Sequence, residues 1–155
     1  MANVEFTLET AVPAHAILAA AVDFSDRRTA LWPTIPPEIY RVHDVGERSA
    51  EVTEGSRFLG TIWARERYDW TEPGVVRARI VDSNVFRPGG TWELRASEAD
   101  GRTRIIVRSR RQARGLRGRI LGAMLAVAGR SILAANLRQT LDMLANGAAL
   151  GEPAR

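Results

Sequence analysis

Glu66 and Asp82 are the two carboxylates whose places in the sequence suit acid–base chemistry. Glu66 shares its parity with Ile62, Ala64, Tyr68 and Trp70, and alternate residues of a strand point to the same face. Alternation therefore aims Glu66 inward among apolar side chains, where a carboxylate must pair, hydrogen-bond or take up a proton. Such a group serves as a general base or as an anchor for a ligand hydroxyl. The alternative is a bulge near Trp63, a large apolar residue that strict alternation sends outward, which would swing Glu66 out onto a neighbouring arginine. Asp82, Asn84 and Arg87 cluster at the end of a later strand and either orient a ligand or build a turn. An enzyme would need Glu66 or Asp82 inside, beside a donor such as Tyr68, Arg87 or Ser109.

Other chemistries find no support in the spacing. His15 and His43 have no partner at metal-ligand spacing, and a Gly-x-Ser-x-Gly nucleophile elbow is absent. There is no cysteine, which removes thiol catalysis, zinc–thiolate sites and disulfides and is compatible with a reducing cytoplasm. Gly89-Gly90 lacks the strand-to-helix setting of a phosphate loop and reads as a turn or bulge. No metal and no cofactor are expected.

The chain has 155 residues, the size of one domain with one core, so 1–155 is taken as a single unit with an ordered core at about 4–146. All 22 basic residues are arginine. Residues 1–100 hold 11 of them against 16 Asp and Glu, a net of −5, and residues 101–155 hold 11 against 2, a net of +9. The run Arg102–Arg119 carries eight arginines and no acid. A solvated face is one reading of it, and a surface for polyanions or for weak contact with an anionic membrane is the other. Specific nucleic-acid binding is not expected, because no aromatic residue is interleaved to stack on bases. The acidic start, Met1–Glu9, and the lack of a basic stretch before Ala16–Val22 do not read as a signal peptide.

The elements that must position these residues follow from periodicity. Val4, Phe6 and Leu8 alternate with polar residues as a first strand. Pro13 opens a short helix over Ala14–Val22, and a second short helix is predicted over Asp23–Leu31, ended by Trp32-Pro33. Strands are then predicted over Tyr40–Val45, Ser49–Glu54, Arg57–Trp70, Val75–Asp82, Thr91–Ser97 and Thr103–Arg110. In four of these strands alternation places arginines on one common outer face. Leu116–Asn146 closes the chain as one proline-free helix, a rod of roughly 47 Å that could cross a seven-stranded sheet of about 30 Å. Apolar residues run nearly all the way round it between Ile120 and Leu137, which predicts burial on more than one side. A membrane span is the rival explanation, opposed by Arg130, Ser131 and the many small residues.

With this order of elements, the stretches Val12-Pro13-Ala14-His15-Ala16-Ile17, Asp82-Ser83-Asn84-Val85-Phe86-Arg87-Pro88-Gly89 before Thr91-Trp92-Glu93, and Arg114-Gly115-Leu116-Arg117-Gly118-Arg119 resemble the polyketide cyclase/dehydrase branch of the START-like (SRPBCC) superfamily. The resemblance covers Val4 to about Asn146. It implies an α+β helix-grip fold, a curved antiparallel seven-stranded sheet wrapped around the long C-terminal helix, with a hydrophobic cavity between them. It also implies a hydrophobic ligand, a lipid or polyketide, that is carried, cyclised or dehydrated; the fold does not choose.

Residues expected to line that cavity or its mouth are Trp32, Tyr40, Ile62, Tyr68, Trp70, Ile80, Phe86, Arg87, Trp92, Met124 and Leu125. Small residues among large ones on the inner face, Gly60, Ala64, Ala78 and Ala96, with Gly122, Ala123 and Ala126 on the helix, predict a hollow of a few hundred Å³. The first and last strands are expected to be neighbours, since Glu5, Thr7 and Glu9 complement Arg104, Arg108 and Arg110. An interaction module working through the arginine face is the third alternative, and oligomeric state is not legible.

Overall fold

A computed structural model describes residues 1–149. Seven strands, β1 (Ala2–Thr10), β2 (Arg41–Val45), β3 (Ser49–Arg57), β4 (Thr61–Asp69), β5 (Val75–Ser83), β6 (Thr91–Ala99) and β7 (Arg102–Arg111), form one antiparallel sheet. Its order is β1-β7-β6-β5-β4-β3-β2. Two short helices, α1 (Ala14–Ala21) and α2 (Arg28–Leu31), follow β1, and α3 (Gly115–Ala149) ends the described chain. The helix-grip class expected from the sequence is the fold observed.

The charge pattern sets which strands meet. β1 lies beside β7 with Glu5 opposite Arg108 and Glu9 opposite Arg104, and the Glu5–Arg108 pair closes to 2.9 Å. Alternation does the rest: Phe6, Leu94, Ile105 and Val107 turn inward from β1, β6 and β7 and pack on Ile17 of α1 and on Ala134, Leu137 and Leu141 of α3. Burying each large aliphatic or aromatic side chain here contributes about 1.5–3 kcal/mol. At the other end of the grip Ile62, Ile80, Val85 and Phe86 pack on Leu121. Thr140 Oγ1 donates 2.8 Å to the Leu31 carbonyl and ties α3 to α2.

Four sequence expectations are corrected. The long strand expected over Arg57–Trp70 is two elements: β3 runs through Arg57, and a turn at Phe58–Gly60 leads into β4. Leu59 and Gly60 adopt φ of 51° and 93°, a geometry that glycine adopts without strain, so Phe58 and Gly60 belong to a hairpin tip rather than to the inner face. The second short helix is the single turn Arg28–Leu31, because Asp23 accepts hydrogen bonds from Ser25 N and Ser25 Oγ and holds the preceding residues in a turn. Trp63 does point outward, half-buried; the irregularity lies on the partner strand, where Arg65 faces Asp82 and Glu66 faces Ile80, leaving Val81 unpaired.

The fourth correction concerns α3, which is buried along one side only. Gly118, Leu121, Gly129, Ala134, Leu137 and Leu141 face inward, while Leu116 and Val127 are 75% and 91% exposed. α1 and α2 reach only the C-terminal half of the helix, through packing against Leu137 and Leu141 and the Thr140 hydrogen bond. Among the described residues no third layer covers its first half. Gly118 fits where it does because a Cβ there would stand 2.2 Å from the Val85 carbonyl oxygen.

Candidate functional site

Between sheet and α3 lie two adjoining chambers. The larger, about 490 Å³, is lined by Ile62, Phe86, Leu121, Met124, Leu125 and Ile132, with Arg57 and Phe58 at its rim. The smaller, about 160 Å³, is lined by Phe6, Trp32, Tyr68, Trp92, Val107 and Leu137, with Arg28, Glu54 and Glu66 as its polar wall. Thr34, Arg111, Leu133 and Asn136 line both and form the junction. The larger chamber falls in the size range of small-molecule sites, which are mostly apolar with a few placed polar groups.

Glu66 turns inward, as parity required, and is only 6% exposed. The alternative in which it swings outward is overturned, because the irregularity falls on β5 and leaves the alternation of β4 intact. Its partner is Arg111, whose Nη2 stands 3.5 Å from Glu66 Oε1 and whose guanidinium lies 5.1 Å from the centroid of the Phe86 ring. Burial pushes the Glu66 carboxyl above its ordinary range, and Arg111 offsets this only in part. Folding therefore takes up a proton at Glu66 between an unfolded value of 4.5 and the raised folded one. Its contribution to stability is fully present below the lower value and is lost as pH rises through the upper. Glu66→Gln abolishes that titration. In urea unfolding at pH ~4 and ~8, wild type should lose stability relative to the variant as pH rises, by about 1.4 kcal/mol per unit of pKa elevation. The opposite slope would mean that the pair with Arg111 dominates.

The second polar centre is Arg28, 3% exposed, which α2 inserts under the sheet. It pairs with Glu54, donates 3.0 Å to the Ala21 carbonyl and 3.2 Å to the Tyr68 hydroxyl, and stacks 4.5 Å from the centroid of the Phe24 ring. Tyr68 in turn donates 3.0 Å to Glu54 Oε2. Burial, then the Glu54 and Glu66 carboxylates, push the Tyr68 phenol well above its usual range, so the hydroxyl stays protonated and committed to this network. Tyr40 donates 2.8 Å to the Phe24 carbonyl, and burial pushes its phenol up to about 12. By contrast the Asn136 amide has no hydrogen-bond partner among the described residues and is open to whatever enters the junction.

Of the eleven residues expected at the cavity, Trp32, Ile62, Tyr68, Phe86, Trp92, Met124 and Leu125 line one chamber or the other. Tyr40 and Trp70 pack around the Phe24 cluster, Ile80 is buried in the Phe86 cluster, and Arg87 is exposed on a loop, none of them at either chamber. Asp82 is also outside: it is exposed, 3.6 Å from Arg114, and faces away with Arg65. Ser109 is buried and points inward beside Trp92. Arg28, Glu54, Arg111 and Asn136 were missed. Extending the alternation Thr103, Ile105, Val107, Ser109 by one more step would have turned Arg111 inward, and Ala50, Val52, Glu54 does the same on β3; nothing in the sequence singles out Arg28 or Asn136.

The arginine-rich outer face carries its own acids. Arg65 and Arg67 share Glu51, Arg77 and Arg95 share Glu72 and Glu93, and Arg108 reaches Glu5 and Glu93. Hydrogen bonds from Arg65 and Arg67 hold the Glu51 carboxyl below its usual range. An open groove of about 870 Å³ crosses this face over Arg79, Thr91 and Arg110, on the side of the sheet away from the chambers. His15 is exposed, and His43, also exposed, lies 2.7 Å from Thr53 Oγ1. Among the described residues no three of His, Asp and Glu come together to hold a metal ion.

A curved sheet that grips a long helix over an apolar cleft with two polar centres defines a helix-grip, START-like domain. The chain belongs to the family described as polyketide cyclase/dehydrase and lipid transport, which it matches over residues 1–148. Among solved structures it is similar to the ZhuI aromatase/cyclase from Streptomyces sp. R1128, at 17% identity and TM-score 0.76 over 94% of each chain. A START superfamily protein from Mycobacterium smegmatis is similar at 15% identity and TM-score 0.69, over 93% of this chain and 99% of that one. Truncated norcoclaurine synthase from Thalictrum flavum aligns at 10% identity and TM-score 0.67 over 92% of each. At such identities the likeness is one of fold. No curated protein matches the sequence.

Proposed function

We propose that this domain binds a hydrophobic small molecule of lipid or polyketide type, to carry or present it in a cytoplasmic setting. Its apolar body occupies the larger chamber and an oxygenated group meets Arg111 and Asn136 at the junction. The observation that carries this reading is the placement of Arg111 and Asn136 on both chambers, so that a ligand filling the apolar space ends against a cation and a free amide. A hydrogen bond to a charged partner contributes about 1.5–3 kcal/mol. Arg111→Leu should therefore weaken a hydroxylated polycyclic probe about 10- to 100-fold in fluorescence titration while leaving its hydrocarbon counterpart unchanged. Equal losses for both probes would remove the anchor.

Cyclisation or dehydration is the second reading, favoured by the raised carboxyl of Glu66 inside the smaller chamber. In it Glu66 as carboxylate takes a proton from carbon alpha to a ligand carbonyl, Arg111 holds the enolate oxygen that results, and as the enolate collapses the β-hydroxyl leaves as water with the proton that Glu66 returns. Turnover of a β-hydroxy ketone by wild type, lost in Glu66→Gln with binding retained, would promote the enzyme over the carrier.

A further inference from the structure

We propose that the first half of α3, together with the β3–β4 hairpin tip, is a docking face for an anionic lipid bilayer. Leu116, Ile120, Met124 and Val127 recur every three or four residues and make one apolar stripe on the side of the helix turned to solvent. Of the most apolar eighteen-residue window of α3 only 22% is buried. The hairpin tip adds two more exposed apolar side chains, Phe58 and Leu59, and is held against the helix by Arg117, whose Nη2 donates 2.7 Å to the Thr61 carbonyl. Six large apolar groups thus stand exposed on the first half of α3 and on the hairpin tip pinned to it, more than scattered surface residues explain.

The charge around the patch selects the occupant. Between Gly101 and Leu141 there is no Asp or Glu, and the stripe is bordered by the exposed Arg119, by Arg117 at the hairpin tip and by Arg114, whose one acidic neighbour is Asp82 of β5 at 3.6 Å. An apolar helix face bordered by arginine is the make-up of a helix that lies in a membrane interface with its cations among anionic headgroups. A second copy of the chain would set these arginines against their own kind with no acid on either helix before Asp142 to neutralise them. The helix lies on the surface and does not span it: Leu121, Leu137 and Leu141 hold its other side in the grip, and Arg130 Nε donates 3.1 Å to the Glu5 carbonyl of β1.

The patch is also continuous with the rim of the larger chamber, because Phe58 and Met124 belong to both. A bilayer seated there faces the cavity mouth, and an apolar ligand passes between membrane and chamber without crossing water. That last consequence rests on the proposed ligand-binding function; docking itself does not.

The test is co-sedimentation with vesicles of phosphatidylcholine alone and of an equimolar mixture with phosphatidylglycerol, at low and at high salt. Wild type should bind the anionic vesicles, bind the neutral ones weakly, and be released by salt. The double variant Ile120→Gln/Val127→Gln alters two exposed side chains and should lower anionic-vesicle binding about tenfold with an unchanged circular dichroism melt. Arg114→Gln/Arg119→Gln should remove the preference for phosphatidylglycerol. Probe uptake measured without vesicles should be the same in all three proteins, which separates failure of docking from failure of ligand binding. Absence of vesicle binding, or binding that the apolar variant leaves intact, would overturn the proposal. A wild-type dimer in size-exclusion light scattering that the same variant dissociates would overturn it in favour of self-association.

Discussion

Arg28→Ala is expected to be among the most damaging single substitutions in this domain, costing about 3–5 kcal/mol, a fall in Tm on the order of 10 °C. The guanidinium is 3% exposed and simultaneously pairs with Glu54, donates to two backbone carbonyls and to Tyr68, and covers the Phe24 ring. Burial alone would weaken its hold on its proton, but the Glu54 carboxylate and Tyr68 raise it above the ordinary arginine value, so the group is charged at any accessible pH. Removing it leaves Glu54 without its cation, close to the already strained charge of Glu66. Urea unfolding of Arg28→Ala, Glu54→Leu and the double variant Arg28→Met/Glu54→Leu separates the two contributions. The single variants should lose several kcal/mol and the double variant should recover much of the loss, since a well-packed apolar pair of similar volume replaces a buried ion pair at little cost. A double variant as unstable as Arg28→Ala would instead assign the loss to the carbonyl hydrogen bonds that close the α1–α2 turn.

Tryptophan substitution separates hollow from core. Ala78 sits on the inner face as alternation predicts, yet it is not in a chamber: it packs with Ala21, Phe24, Val52, Tyr68 and Val76, and it is 2% exposed. Ala78→Trp therefore overpacks a filled region and should destabilise by about 1–3 kcal/mol or more, where sequence alone placed it against empty space. Leu133→Trp, at the junction of the chambers, adds less bulk than Ala78→Trp and adds it into the hollow, and should cost less than about 1 kcal/mol. Urea midpoints in the reverse order would place the free volume elsewhere in the grip.

The fold was legible because it is written in periodicity and charge. Alternation in β1, β4, β5, β6 and β7 named the inner face correctly, and the acids of β1 found the arginines of β7. The interrupted strand at Phe58–Gly60 was not legible, because Gly60 fits both an alternating strand and a positive-φ turn. Apolar content also misled on α3: composition says that Leu116, Ile120 and Val127 favour burial, but whether a third layer exists to bury them is a property of the tertiary arrangement. The site divides the same way. Glu66, Trp32, Phe86, Met124 and Leu125 follow from parity or from position on a known element, whereas the meeting of Arg28 with Glu54, 26 residues away, and of Arg111 with Glu66 requires the chain to be closed.

The central claim, that the grip is hollow and takes up an apolar ligand, is tested most directly by titrating wild type and Leu133→Trp with an environment-sensitive hydrophobic fluorophore. Saturable one-to-one uptake by wild type, lost in a Leu133→Trp protein that melts within a few degrees of it, is the result predicted here. Uptake that does not saturate, or that is equally strong in both proteins, would contradict it.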